Sequence, residues 1–115
     1  MPNKNKGGVK FDAGKPMMSL ISSKFLVGLA KALTYGAKKY AKDGKSGAHN
    51  WRKGLSISRT YDALQRHLVA WNDGENIDED SGLPHLYLAA CELMFITETM
   101  ETKPHLDDRY IEEQQ

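Results

Sequence analysis

The chain has 115 residues, enough for one domain with a modest core and too few for two. Its 40% apolar and 27% charged residues are those of a globular protein, and no apolar run approaches the roughly 18 residues of a membrane span. The single cysteine, Cys91, excludes an internal disulfide framework, and the basic start MPNKNKGGVK lacks the apolar stretch of a secretory signal, so a cytoplasmic protein is expected.

Residues 1–21 read as a loop, broken by Gly7-Gly8, Gly14 and Pro16. Ser22 or Ser23 can cap a first helix from about Lys24 to Tyr40, with Phe25, Leu26, Leu29, Leu33 and Tyr40 at helical spacing. Gly28 and Gly36 weaken this helix unless something packs close to its backbone. Residues 41–55, rich in Gly and Lys, read as a loop. A second helix starts near Ser56 or Ser58 and reaches about Trp71, on Ile57, Tyr61, Leu64, Leu68 and Trp71. Residues 72–82 form an acidic turn, and Ser81 or Gly82 opens a third helix with Pro84 in its first turn. From Leu83 to Ile96 that helix is apolar nearly all round, so it needs partners beyond its own chain. The tail 102–115 is polar and irregular, and no strand pattern is present. The expected class is all-α: one domain over residues 1–115, a small bundle of three main helices completed by homo-oligomerisation.

Charge is divided along the chain. Up to Arg66 there are 14 Lys and Arg against three acids, a net +11; from His67 on there are two against 12, a net −10. A polyanion for one half and a cation for the other would satisfy both, and a nucleotide with its magnesium supplies the two in one ligand. Two solvated faces that pair across the fold or between subunits would give the same count. The acidic half would repel duplex DNA, so stable duplex binding is not expected.

Two groups of residues could carry chemistry. His67, Glu75, Asp78, Asp80, His85 and Glu92 would meet at one end of an antiparallel helix pair. Carboxylates gathered there suit Mg²⁺ or Mn²⁺. The expected metal ligands are Glu75, Asp78, Asp80 and Glu92; His67 and His85 could be ligands, proton carriers or phosphate contacts, and His67, Glu75 and His85 form the catalytic set. Glu92 stands in an apolar run, where a buried carboxylate must be paired, protonated or metal-bound. The turn carboxylates could instead serve only the helix dipole. The second group is basic. Lys10, Asp12 and Lys15 lie in the N-terminal loop, Lys39 ends the first helix, and Asn50, Trp51, Arg52 and Lys53 precede the second. The cations would hold phosphates, while Asn50 and Trp51 could read base or sugar. Trp51 reads rather as a core or interface anchor, with base stacking as the alternative. There is no GxxxxGK[ST] phosphate loop, and Cys91, inside an apolar helix, reads as core.

The runs GVKFDAGKPMMSL (8–20), TYGAKKY (34–40), NWRKG (50–54), RHLVAWNDGENIDEDSGLPHLYLAAC (66–91) and LDDRY (106–110) resemble the phage dATP/dGTP diphosphohydrolase N-terminal family, a MazG-like group of nucleotide pyrophosphohydrolases. The resemblance covers about 100 residues in order and without large gaps. It implies Mg²⁺- or Mn²⁺-dependent hydrolysis of a purine deoxynucleoside triphosphate to monophosphate and pyrophosphate, in the cytoplasm of an infected bacterium. The wider MazG-like group carries EExxE on one helix and ExxD on the next. Here the second helix offers Gln65-Arg66-His67, and the one ExxD, Glu75 to Asp78, falls in the turn. That departure, beside an intact basic set, motivates a competing expectation: a phage protein that sequesters a nucleotide signal without turning it over. A third is a small interaction module whose charges serve only assembly.

Overall fold

The structure, a computed structural model, describes residues 7–113. Three helices account for the regular structure: α1 (Ser23–Lys39), α2 (Ile57–Asn72) and α3 (His85–Thr102). Single 3₁₀ turns lie at Met18–Leu20, Asn50–Lys53 and Pro104–Leu106. No strand occurs among the described residues, only the isolated bridges Lys42–Lys45 and Ile77–Pro84, so the all-α expectation holds.

The ends of the helices follow from local chemistry. Ser22 caps α1, its hydroxyl accepting from the Phe25 N–H at 3.2 Å. The side chain of Ser56, the residue before α2, makes no cap bond. Asp108 takes that role from the far end of the chain, accepting from the Ser58 N–H at 2.8 Å and from the Ser58 hydroxyl at 2.5 Å. The tail expected to be irregular thus returns through a 3₁₀ turn to close α2. Helix α3 begins at His85, two residues later than the apolar run suggests, with Pro84 in extended backbone as its N-cap rather than inside its first turn. The reason is the loop before it. Asp78 N–H bonds Leu83 C=O, Gly82 N–H bonds Asp78 C=O, and His85 N–H bonds Asn76 C=O, at 2.8 to 2.9 Å. These bonds hold residues 76–85 as a closed loop, with Gly82 at a left-handed φ of 73°.

Helix α3 is the element against which both others pack, α2 most extensively. The core joins Ala32 of α1 to Leu88 and Cys91 of α3, with Leu29, Leu33, Leu83, Tyr87 and Phe95 around them. Gly28 explains itself here. A Cβ at that position would stand 2.2 Å from the Tyr87 ring, so the bare backbone is what admits Tyr87. Ile57 and Thr60 are the buried residues of α2. The face of α1 is correspondingly narrower than its apolar spacing suggests: Phe25, Leu26 and Tyr40 stay about half exposed, as do Tyr61 and Trp71 on α2 and Leu86 and Leu93 on α3.

Candidate active site

One end of the α2–α3 pair, the loop between them and the C-terminal half of α1 enclose a cavity of about 680 Å³. Its walls bring the two halves of the charge distribution together: Lys39, Arg59 and Arg66 from the cationic half, and Asp78, Asp80 and Glu92 from the anionic half, with His67 and His85 between them.

The imidazoles define the centre. His67, near the C-terminus of α2, places Nδ1 at 2.9 Å from Nδ1 of His85, the first residue of α3. His85 is buried, 4% exposed, and its Nε2 meets the Glu75 carboxylate at 2.5 Å. A carboxylate oxygen accepts, so Nε2–H donates to Glu75, and in the neutral ring Nδ1 then carries the lone pair. Asp78 completes the group: ligand atoms of His67, Asp78 and His85 lie within 4.8 Å of one another. The Ser81 N–H fixes the Asp78 carboxylate at 2.9 Å. Burial alone would raise the Asp78 pKa; hydrogen bonds from Ser81 and the nearby His67 and His85 outweigh it and hold the carboxyl below its usual value. Burial, helped by the charges of His85, Arg66 and Lys39, lowers the His67 pKa against the pull of Asp78. Glu92, half-buried one wall away, is pushed up to about 7 by burial, which Arg66 and Lys39 only partly offset. Two imidazoles and a carboxylate that share one space and face an open cavity are compatible with a divalent metal ion.

The expected site residues divide cleanly. His67, Asp78, Asp80, His85, Glu92, Lys39, Asn50 and Trp51 line the cavity, and Glu75 joins through its bond to His85. Asp80 and Glu92 stand outside the compact His–Asp–His group. Trp51 is buried with its ring stacked on Phe95, centroids 4.8 Å apart, and the Arg52 guanidinium covers it at 4.4 Å. Arg52 also donates to Glu98 at 2.8 Å. Lys53 lines a smaller adjoining hollow with Lys42, Lys45 and His49. Lys10, Asp12 and Lys15 lie exposed in the segment before α1 and do not line the cavity. Cys91 reaches the cavity wall, yet burial pushes its thiol up to about 12, so it is packing rather than a nucleophile. Arg59 and Arg66 escaped sequence reasoning. Their seven-residue spacing, two turns on one face of α2, was the available signal.

A small helical protein whose cavity joins cations to a His–Asp–His group fits the nucleotide-processing class. Comparison with known families makes it specific. The family described as dATP/dGTP diphosphohydrolase, N-terminal, matches residues 5–109, and the chain belongs to it. A protein of Salmonella phage PMBT28 named dATP/dGTP diphosphohydrolase is 39% identical over 102 residues, covering 89% of this chain and 33% of the relative. The chain therefore spans about a third of the length of the curated relative it matches. No solved structure matches.

Proposed function

We propose that this chain hydrolyses a purine deoxynucleoside triphosphate, dATP or dGTP, to the monophosphate and pyrophosphate with the help of Mg²⁺ or Mn²⁺. The observation that carries this reading is the meeting of Lys39, Arg59 and Arg66 with the His67–Asp78–His85 group in one cavity. The name of the phage relative supports the substrate class.

The work divides among the residues. Lys39, Arg59 and Arg66 hold the phosphate chain by charge-assisted bonds. Asn50, beside the buried Trp51, contacts the sugar or base. Water adds to the α-phosphorus as the bond to the bridging oxygen breaks, and pyrophosphate leaves with that bond's electron pair. Glu92, whose carboxyl titrates at about 7, takes the proton the water gives up. His67, Asp78 and His85 would hold the divalent ion, with Glu75 orienting His85. That ion, when bound, supplies positive charge that polarises the phosphate oxygens and the water.

The protein works as a homo-oligomer in the cytoplasm of the infected cell, without stable duplex DNA binding. Phe25, Leu26 and Val27 on α1 and Leu86 and Leu93 on α3 are 42 to 55% exposed. Apolar surface of this extent on two helices suits cover by a second copy. No helix among the described residues is long and apolar enough to cross a membrane.

The test is direct. The protein is incubated with each of the four deoxynucleoside triphosphates and Mg²⁺ or Mn²⁺, and monophosphate and pyrophosphate are quantified. Turnover of dATP or dGTP that a chelator stops, and that Asp78→Asn reduces by about 100-fold or more, is the expected result. Tight nucleotide binding with no turnover would replace the enzyme with a sequestering protein. Light scattering that gives a monomer mass would end the oligomer reading.

A further inference from the structure

We propose that His67, Asp78 and His85 form a resident site for a first-row transition ion such as Mn²⁺ or Co²⁺, selective against Mg²⁺, with Glu75 as the positioning residue that aims His85 at the ion. This deepens the metal-dependent reading above by naming the class of ion and the atoms that select it.

The donor set is the first argument. Mg²⁺ takes oxygen ligands and gives up its waters reluctantly, whereas imidazole nitrogen suits iron, nickel, copper and zinc, and affinity for a nitrogen-bearing site rises along the first row from manganese through cobalt to copper. Two of the three converging ligands are imidazoles. Geometry is the second. The His67 and His85 Nδ1 atoms are 2.9 Å apart. Ligands at right angles on an ion with bonds of about 2.0–2.1 Å stand about 2.9 Å from each other. The third argument is Glu75. Imidazoles that bind metals characteristically donate their other N–H to a carboxylate, which fixes the tautomer and strengthens the ligating nitrogen. The Glu75 bond to His85 Nε2 has that form and leaves Nδ1 as a lone pair facing His67 and Asp78. The ligands come from three separate pieces of chain: α2, the closed 76–85 loop and the first turn of α3. Because each is held by its own backbone bonds, the group is assembled before an ion arrives. All three residues also line the cavity that Lys39, Arg59 and Arg66 share.

The experiment measures ion binding without nucleotide. Full-length protein stripped with a chelator is titrated with Mn²⁺, Co²⁺ and Mg²⁺ by calorimetry, and the cobalt titration is followed by visible absorption. The expected result is one Mn²⁺ or Co²⁺ per chain, bound at least about 10-fold more tightly than Mg²⁺. His67→Asn and Asp78→Asn should each weaken cobalt binding by more than about 10-fold and alter its absorption band. Glu75→Gln should weaken it by about 10- to 100-fold. Circular dichroism confirms that each variant keeps its helices, and the wild-type selectivity needs no variant. Mg²⁺ binding as tight as that of Mn²⁺ and Co²⁺, or cobalt affinity unchanged in His67→Asn, overturns the proposal. Selective ion binding without triphosphate turnover supports this site and removes the proposed activity. Turnover that runs equally well on Mg²⁺ and survives His67→Asn does the reverse.

Discussion

The Nδ1 atoms of His67 and His85 face each other at 2.9 Å across 18 residues of sequence, and protonating both rings would set two like charges side by side. Burial and that neighbour hold His67 below its usual 6.5. The sign of the consequence follows. As pH falls through 6.5 the unfolded chain binds a proton that the folded chain refuses, so stability drops until the pH passes the lowered folded value, and then levels. Urea denaturation of the ion-free protein at pH 7.5 and pH 5 should show this loss, and His67→Asn should show less of it. Equal losses in the two proteins would mean that His67 titrates as freely when folded as when unfolded.

Glu92 acts with the opposite sign. Its folded value of about 7 lies above the ordinary 4.5 because burial disfavours the anion. Between those values the folded chain keeps a proton that the unfolded chain has released. The stabilising contribution is therefore complete below pH 4.5 and is lost as pH rises through about 7. Glu92→Gln, which keeps the shape of the protonated acid, should melt a few degrees higher than wild type at pH 8 with a chelator present. At pH 4 the two should melt together. In the hydrolysis assay the same variant should lose most of its turnover, because the amide cannot accept a proton.

Much of this was legible in the sequence, for reasons that also mark where legibility ended. The three helices followed from apolar spacing and from Ser22, because a helix and its N-cap are local. His67, Asp78, Asp80, His85 and Glu92 could be grouped because a short turn must bring the facing ends of two helices together. What is not local was not readable. The apolar positions of α1 gave no sign that Gly28 and Ala32 form its buried line, since that depends on the Tyr87 ring arriving from α3. Charge groups Lys10 and Lys15 with Lys39, yet only Lys39 sits on the helix that forms the cavity wall. Nor could composition show that Glu75 turns away from its fellow carboxylates to hold the back of His85.

Asp108 closes α2 from 50 residues away, a contact the polar tail gave no hint of. The Ser58 hydroxyl and N–H both hold its carboxyl below the usual value. Asp108→Ala should leave two donors at the start of α2 without their acceptor. Amide exchange at Ser58 should accelerate and the melting temperature should fall, while exchange within the core of α3 keeps its order. Unchanged protection at Ser58 would show that solvent caps α2 equally well.

Gly28 and Tyr87 make a pair whose energetics can be separated. Glycine inside a helix costs about 1 kcal/mol relative to alanine, so Gly28→Ala should stabilise α1 if backbone propensity were all that mattered. The structure argues otherwise, because the added Cβ would lie 2.2 to 2.5 Å from three carbons of the Tyr87 ring. The ring would have to leave its place against Phe25, where the centroids are 5.9 Å apart, and α1 would separate from α3. Overpacking of this kind costs about 1–3 kcal/mol, which outweighs the gain in propensity. Gly36 provides the control, since a Cβ there meets nothing within 4 Å. Gly36→Ala should therefore stabilise the protein by up to about 1 kcal/mol while Gly28→Ala destabilises it. Gly28→Ala combined with Tyr87→Leu should recover part of the loss, since the shorter side chain no longer reaches the new methyl. Denaturant midpoints of the three variants decide the matter, and a Gly28→Ala protein more stable than wild type would show that α1 does not need Tyr87 this close.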